Sequence, residues 1–321
     1  MNSPVPQRPL DVVALGGGHG LAATLRALRR VTPHLTAVVG VSDDGGSSGR
    51  IREQFGVVPP GDLRMALAAL CGDDTWGSTW AKVLQHRFAS AGDLDGHALG
   101  NLIITALWEQ TGDIVGGLDW VARLLDAHGT VLPLALEPLH IIATVRDSNG
   151  AGHEVTGQVQ VATTPHRIES IRVEPRQPMV CTQAVDAVMA ADAVVLGPGS
   201  WFTSVLTHFE VPAMGRALLE TPASRVLVLN LKPQSGETSG YSPERYLEVL
   251  ADKHPDFRLD AVVADPRHVE DEASLERQVG LMGAQLTMAQ IAHPEGATHD
   301  PELLASTFRT IFQGGRIGTW R

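Results

Sequence analysis

Two adjacent carboxylates inside a glycine- and serine-rich run make the stretch Val41–Arg50 ("VSDDGGSSGR") the first candidate for chemistry. Backbone N–H groups at its glycines, the hydroxyls of Ser47 and Ser48, and the guanidinium of Arg50 are donors suited to phosphate oxygens. Asp43 and Asp44 carry the wrong charge for that partner. One of them fits the ribose-binding acid that follows the second strand of a dinucleotide fold. The second makes sense where Mg²⁺ or another hard cation bridges carboxylate and phosphate, so Asp43 and Asp44 are the candidate metal ligands.

Two further runs repeat a design of apolar strand, glycine turn and helix start. "LGGGHGL" holds Gly16, Gly17, Gly18, His19 and Gly20, and "LGPGSWFTS" holds Gly197, Gly199 and Ser200. Glycines in that setting let backbone N–H groups approach an anion, and the helix start adds partial positive charge. The alternative is a tight connection and nothing more. His19 reads as a loop histidine at the helix start rather than a catalytic base.

Asn230, Lys232, Gln234, Thr238 and Tyr241 lie in "NLKPQSGETSGYS", a loop rich in donors, where Tyr241 could stack on a base or sugar. "PPGDLR" places Asp62 as a helix N-cap with Arg64 in the first turn, and "GHALGN" places Asn101 similarly. For those three residues, capping and ligand contact are both complete explanations. No catalytic residue is assigned. "GPGSW" is not a G-x-S-x-G elbow, and the 13 histidines do not cluster at zinc spacing.

These residues need elements that bring them together. Residues 10–15 and 35–41 read as buried parallel strands around a helix at 21–31, a βαβ unit. Helical patterns at 63–70, 76–88, 98–110 and 114–127 form an insertion over about 61–128. Strand-like patterns then span about 131–175, with "RDSNGAG" as a hairpin turn. Alternation resumes with helix 184–191, strand 192–196, a helical stretch 200–219, strand 225–229, helix 243–250, strand 259–263 and helix 301–312. The expectation is one Rossmann-like unit over residues 1–321: α/β, doubly wound, with a mostly parallel sheet, a helical insertion and a small β-hairpin region. Two glycine turns at strand ends would then face one crevice, provided the strand order reverses between them.

Composition narrows the classes. The 321 residues are 43% hydrophobic with a formal net charge of −11, which supplies a core and argues against a nucleic-acid surface. Two cysteines 110 positions apart support neither a disulfide framework nor a Cys-rich metal site. No apolar run reaches the ~18 residues of a membrane span, and the first residues lack a leader pattern, so the expected location is the cytoplasm. A homodimer is the default expectation for assembly.

The six motifs "GGGHGL", "SDDGGSSGR", "PPGDLR", "GHALGN", "GPGSWFTS" and "NLKPQSGETSGYS", in this order, resemble the YvcK/CofD family over essentially the whole chain, and its YvcK branch in particular. The sister branch of 2-phospho-L-lactate transferases carries a shorter Gly-Asp-Asp loop. The resemblance implies a Rossmann-like protein that binds UDP-sugars, UDP-N-acetylglucosamine above all, with no required cofactor. It implies roles in gluconeogenic growth, cell shape and cell-wall synthesis, with cell-wall or metabolic regulatory proteins as partners. The transferase branch implies the alternative, a Mg²⁺-dependent phosphotransferase with its two acids at the loop of Asp43 and Asp44. Two departures stand out: His19 replaces the family's threonine, and Thr298-His299-Asp300 replaces Arg-His-Asn or Arg-His-Asp.

Overall fold

The computed structural model describes residues 8–296 and 298–313. Its strands are β1 (Val12–Gly16), β2 (Leu35–Val39), β3 (Thr130–Pro133), β4 (His140–Arg146), β5 (Gly152–Thr156), β6 (Arg167–Glu174), β7 (Ala193–Leu196), β8 (Ser224–Val228), β9 (Ala261–Ala264) and β10 (Gln285–Met288). Seven of them form a parallel sheet in the order β10-β9-β8-β7-β1-β2-β3. The chain starts at β1, builds outward to β3, then returns to the other side of β1 with β7. The order therefore reverses between β1 and β7, and the crevice of a doubly wound sheet opens there. β1, β7 and β9 are buried along their whole length, as the unbroken apolar runs require in a sheet covered on both faces.

Helix α1 (Gly18–Leu28) follows β1 without a spacer and buries Leu21, Leu25 and Leu28, an i, i+4, i+7 stripe. The run from Gly46, expected as a loop, is helix α2 (Gly46–Phe55). Its Gly-Ser-Ser-Gly start has poor helix propensity; burial of Ile51 and a left-handed Gly56 at the end compensate. The insertion between β2 and β3 is helical as expected: α3 (Gly61–Leu70), α4 (Thr75–Gln85), α5 (Leu99–Thr111) and α6 (Ile114–Leu125). Asp74 and Asp113 accept backbone N–H bonds at the starts of α4 and α6. α1 and α3 pack together.

β3 joins the main sheet and not the hairpin region. The small sheet is antiparallel, in the order β5-β4-β6, and the β4–β5 turn is held by Asp147 accepting from the Asn149 and Ala151 amides. A five-residue helix, α7 (Gln158–Ala162), returns from β5 toward the crevice. The helix Glu272–Leu281 and strand β10 had no counterpart among the sequence expectations. β10 is four residues at the sheet edge with only partial burial, too short and too polar to stand out.

Candidate functional site

The two glycine turns meet at the β1/β7 switch. A Cβ at Gly20 would lie 1.8 Å from the Pro198 carbonyl oxygen, so the turns close on each other only because position 20 has no side chain. The second turn is fixed from the other side. Gly199 N–H donates to Asn230 Oδ1 at 2.8 Å, and Asn230 Nδ2 donates to the Gly199 carbonyl at 2.8 Å.

At the first turn a carboxylate occupies the helix start. The Asp62 carboxyl faces the Gly18 N–H, and a Cβ at Gly17 would stand 2.5 Å from Asp62 Oδ2. Burial, then the Asp43 charge, push the Asp62 carboxyl up to about 7. Asp43 is also raised, chiefly by burial, although it accepts from Gly45 N–H at 3.0 Å. Arg64 is the cation that both acids feel, but its Nε donates to Asn101 Oδ1 at 2.9 Å and its Nη1 to Gln85, and it forms no ion pair among the described residues. Asp43 and Asp62 are thus two incompletely compensated carboxylates beside the first turn. Asp44 is turned elsewhere: its two oxygens accept the Gln158 and Val159 amides at 2.9 and 3.0 Å, at the start of α7.

Several candidate residues are joined to one another. Ser47 Oγ stands 3.1 Å from His97 Nδ1 and accepts from Asn101 Nδ2 at 3.0 Å, so Ser47, Asn101 and Arg64 form one buried chain linking α2, α5 and α3. Ser48 Oγ accepts the Gly61 amide at 2.9 Å. Ser200 Oγ donates to Gln234 Oε1 at 3.0 Å, and the Gln234 amide donates to Thr238 Oγ1 at 2.9 Å. Thr238 is fully buried. His19 is exposed on the first turn of α1, and Arg50 is exposed on α2, where its Nη2 donates to the Asp95 carbonyl at 2.6 Å, away from the glycine turns.

Lys232 and Tyr241 line a cleft of about 530 Å³ at the carboxyl ends of β8 and β9, with Asn230 at its edge. The same cleft is lined by Arg267, His268, Glu270, Asp271 and Ser274, which sequence reasoning missed. The available signal was a charged run, "DPRHVEDE", directly after a buried strand. Asp265 anchors that run: it pairs with Arg267 and accepts the Ile291 and Ala292 amides at 2.9 Å, which hold its carboxyl well below the usual range against the opposing effect of burial. His299 lies behind the cleft with Nε2 3.2 Å from the Leu229 carbonyl, and burial lowers it to about 4. It supports the strand end rather than lining the cleft.

Glu237 is a further acid that the sequence did not mark. It is 3% exposed, and its carboxyl faces the N–H groups of Trp201, Phe202 and Thr203 at the start of the helical run after the second turn, yet closes no well-formed hydrogen bond. Burial raises it to about 7. Among the described residues no helix is long and apolar enough to cross a membrane.

The family of 2-phospho-L-lactate transferase CofD matches residues 12–292 of the chain. The protein named "Putative gluconeogenesis factor" of Mycobacterium tuberculosis H37Rv is 49% identical over 301 residues, 92% of this chain and 88% of its own. The "Gluconeogenesis factor" of Bacillus subtilis is 34% identical over 266 residues, 83% of this chain and 81% of its own. A crystal structure of a UPF0052-family protein from Bacillus halodurans superposes with a TM-score of 0.84 at 28% identity, covering 94% of this chain and 99% of that one.

Proposed function

The chain belongs to the CofD/YvcK family, with relatives named gluconeogenesis factors, and on that premise we propose that it is a cytoplasmic UDP-sugar-binding regulatory factor with UDP-N-acetylglucosamine as its ligand. The observation that carries the reading is the meeting of two glycine turns at the strand-order reversal, next to an open polar cleft. A diphosphate would lie against the first turn, with the nucleoside or sugar beside Asn230, Lys232 and Tyr241. The consequence we propose is control of gluconeogenic growth, cell shape and cell-wall synthesis through a bound sugar nucleotide.

Mg²⁺ fits this arrangement in a changed position. Mg²⁺ is usually held by one or two carboxylates plus phosphate and water, not by a cage of protein ligands. Among the described residues no group of three or more His, Cys, Asp or Glu forms a metal cage. Asp43 and Asp62, both raised chiefly by burial, would hold the ion; Asp44 is engaged by α7. The ion would supply charge neutralisation between these acids and the diphosphate. The same pair favours one second reading, a Mg²⁺-dependent phosphotransferase of the kind that the family description names.

The test is calorimetric titration with UDP-N-acetylglucosamine, with and without Mg²⁺, on wild type and Asp43→Asn. We expect binding that Mg²⁺ strengthens in wild type and leaves unchanged in the variant. No heat and no thermal shift at millimolar ligand would sink the reading. Turnover of a GDP-linked lactate with a deazaflavin acceptor would move it to the transferase class.

A further inference from the structure

A second cleft, of about 940 Å³, lies on the outer side of α2, between that helix, the Asp95–Gly96 bend and the Pro138–His140 segment. Gly46, Ser47 and Gly49 from the first turn of α2 form part of its wall, and no side chain caps that helix start. A helix start without a cap leaves N–H donors facing outward. Two arginines from the same helix share the wall. Arg52 is 8% exposed, donates from Nη1 to the Ser42 carbonyl at 3.3 Å, and among the described residues has no partner for Nη2. Asp43 and Asp44 support its charge through space, but neither pairs with it within 4.0 Å. Among the described residues Arg50 bonds only to the carbonyls of Asp93 and Asp95. A buried guanidinium without a carboxylate partner is a costly arrangement for a chain to keep.

The acids of this cleft act on Arg52 through space only, and among the described residues none forms an ion pair with Arg50 or Arg52. Asp44 gives both oxygens to α7, and Asp95 Oδ1 accepts the Ser90 amide at 2.9 Å. Glu53 is exposed, and His140, near both Arg52 and Asp44, completes the lining. The wall thus offers two guanidinium groups and an uncapped helix start on one side, with carboxylates free to accept hydroxyls on the other.

We propose that this second cleft binds a small phosphomonoester, its phosphate set between the N-terminus of α2 and the guanidinium groups of Arg50 and Arg52, its hydroxyls toward Glu53 and Asp95. The site is separate from the sugar-nucleotide cleft and does not depend on that assignment. It gives the stretch from Val41 to Arg52 two faces: the inner one carries Asp43 toward Asp62, and the outer one carries Arg50 and Arg52.

The experiment is calorimetric titration of the full chain with glycerol 3-phosphate and with inorganic phosphate, repeated with saturating UDP-N-acetylglucosamine. The variants are Arg50→Gln, Arg52→Gln and Arg52→Lys. We expect glycerol 3-phosphate to bind whether or not the sugar nucleotide is present, and about a tenfold loss of affinity in Arg50→Gln and Arg52→Gln, the size of one lost charge-assisted hydrogen bond. Arg52→Lys keeps the charge without the fork and should retain part of the affinity. Without ligand, Arg52→Gln should unfold at or above the wild-type temperature, since it removes an unpaired buried charge; a purely structural arginine would lower it. Unchanged affinity in both Gln variants, no binding at millimolar ligand, or complete competition by the sugar nucleotide would overturn the proposal. Inorganic phosphate binding as tightly as glycerol 3-phosphate would overturn the phosphomonoester and leave the free anion as occupant.

Discussion

The two glycine turns share a sequence design and lie on neighbouring strands, yet the chain closes them differently. At the first, Asp62 faces the Gly18 N–H while remaining partly open and next to Asp43. At the second, Asn230, Gln234 and Thr238 stitch the turn to the 230–241 loop, and Glu237 lies buried against the N–H groups of Trp201, Phe202 and Thr203. Both helix starts meet a carboxyl of the protein itself, but only the first has a second acid, Asp43, beside it, so that a cation can serve the pair. A glycine turn at a helix start is an anion site in principle, but packing decides whether a ligand or a side chain fills it.

Replacing Gly20 by valine breaks both turns together. The new side chain would overlap the Pro198 carbonyl, and we expect a loss of roughly 3 kcal/mol in urea unfolding, the upper end for overpacking, or no folded protein. An unchanged midpoint would show that the turns do not touch.

Protonation sharpens the contrast. Asp62 and Glu237 rise from 3.8 and 4.5 to about 7 on folding, so their protonated forms favour the fold. That support is complete below the unfolded values and is lost as pH climbs from about 4 to about 7. Asp62→Asn and Glu237→Gln should each flatten this decline in thermal-midpoint scans. Added Mg²⁺ should restore stability above neutrality in wild type and Glu237→Gln but not in Asp62→Asn. Equal rescue in all three proteins would remove the distinction between the turns.

Asn230→Ala removes both bonds to Gly199 and should cost about 2 kcal/mol in urea unfolding, two hydrogen bonds of ordinary strength. It should also weaken UDP-N-acetylglucosamine in calorimetry; full affinity would show that the second turn does not shape the cleft. Asp44→Asn should have the smallest effect, about 1 kcal/mol for a weakened cap on α7, with Mg²⁺-dependent ligand binding intact. Loss of that dependence would return Asp44 to the metal.

Much of this was legible along the chain. Apolar β-branched runs ending in glycine marked β1, β2 and β7 because a parallel strand covered on both faces needs an unbroken apolar run. Periodicity also located α3 to α6 between β2 and β3, though not α2. What the sequence could not say is which neighbour each polar side chain would find. Ser47, Arg64 and Asn101 are separated by 17 and 37 positions, and only the packing of α2, α3 and α5 makes them one internal chain. Asp43 and Asp44 are adjacent, yet successive residues leave the backbone in different directions, so one looks toward Asp62 and the other toward α7. Glu237 reaches its helix start from the 230–241 loop and Asp62 from the first turn of α3, and no local spacing connects either to its partner. Local sequence determined the strands, the turns and the types of donor and acceptor available, because those depend on hydrophobic period and backbone freedom. The tertiary structure alone decided which acids share charge and which donors are already engaged, because those depend on distances between segments far apart in the chain.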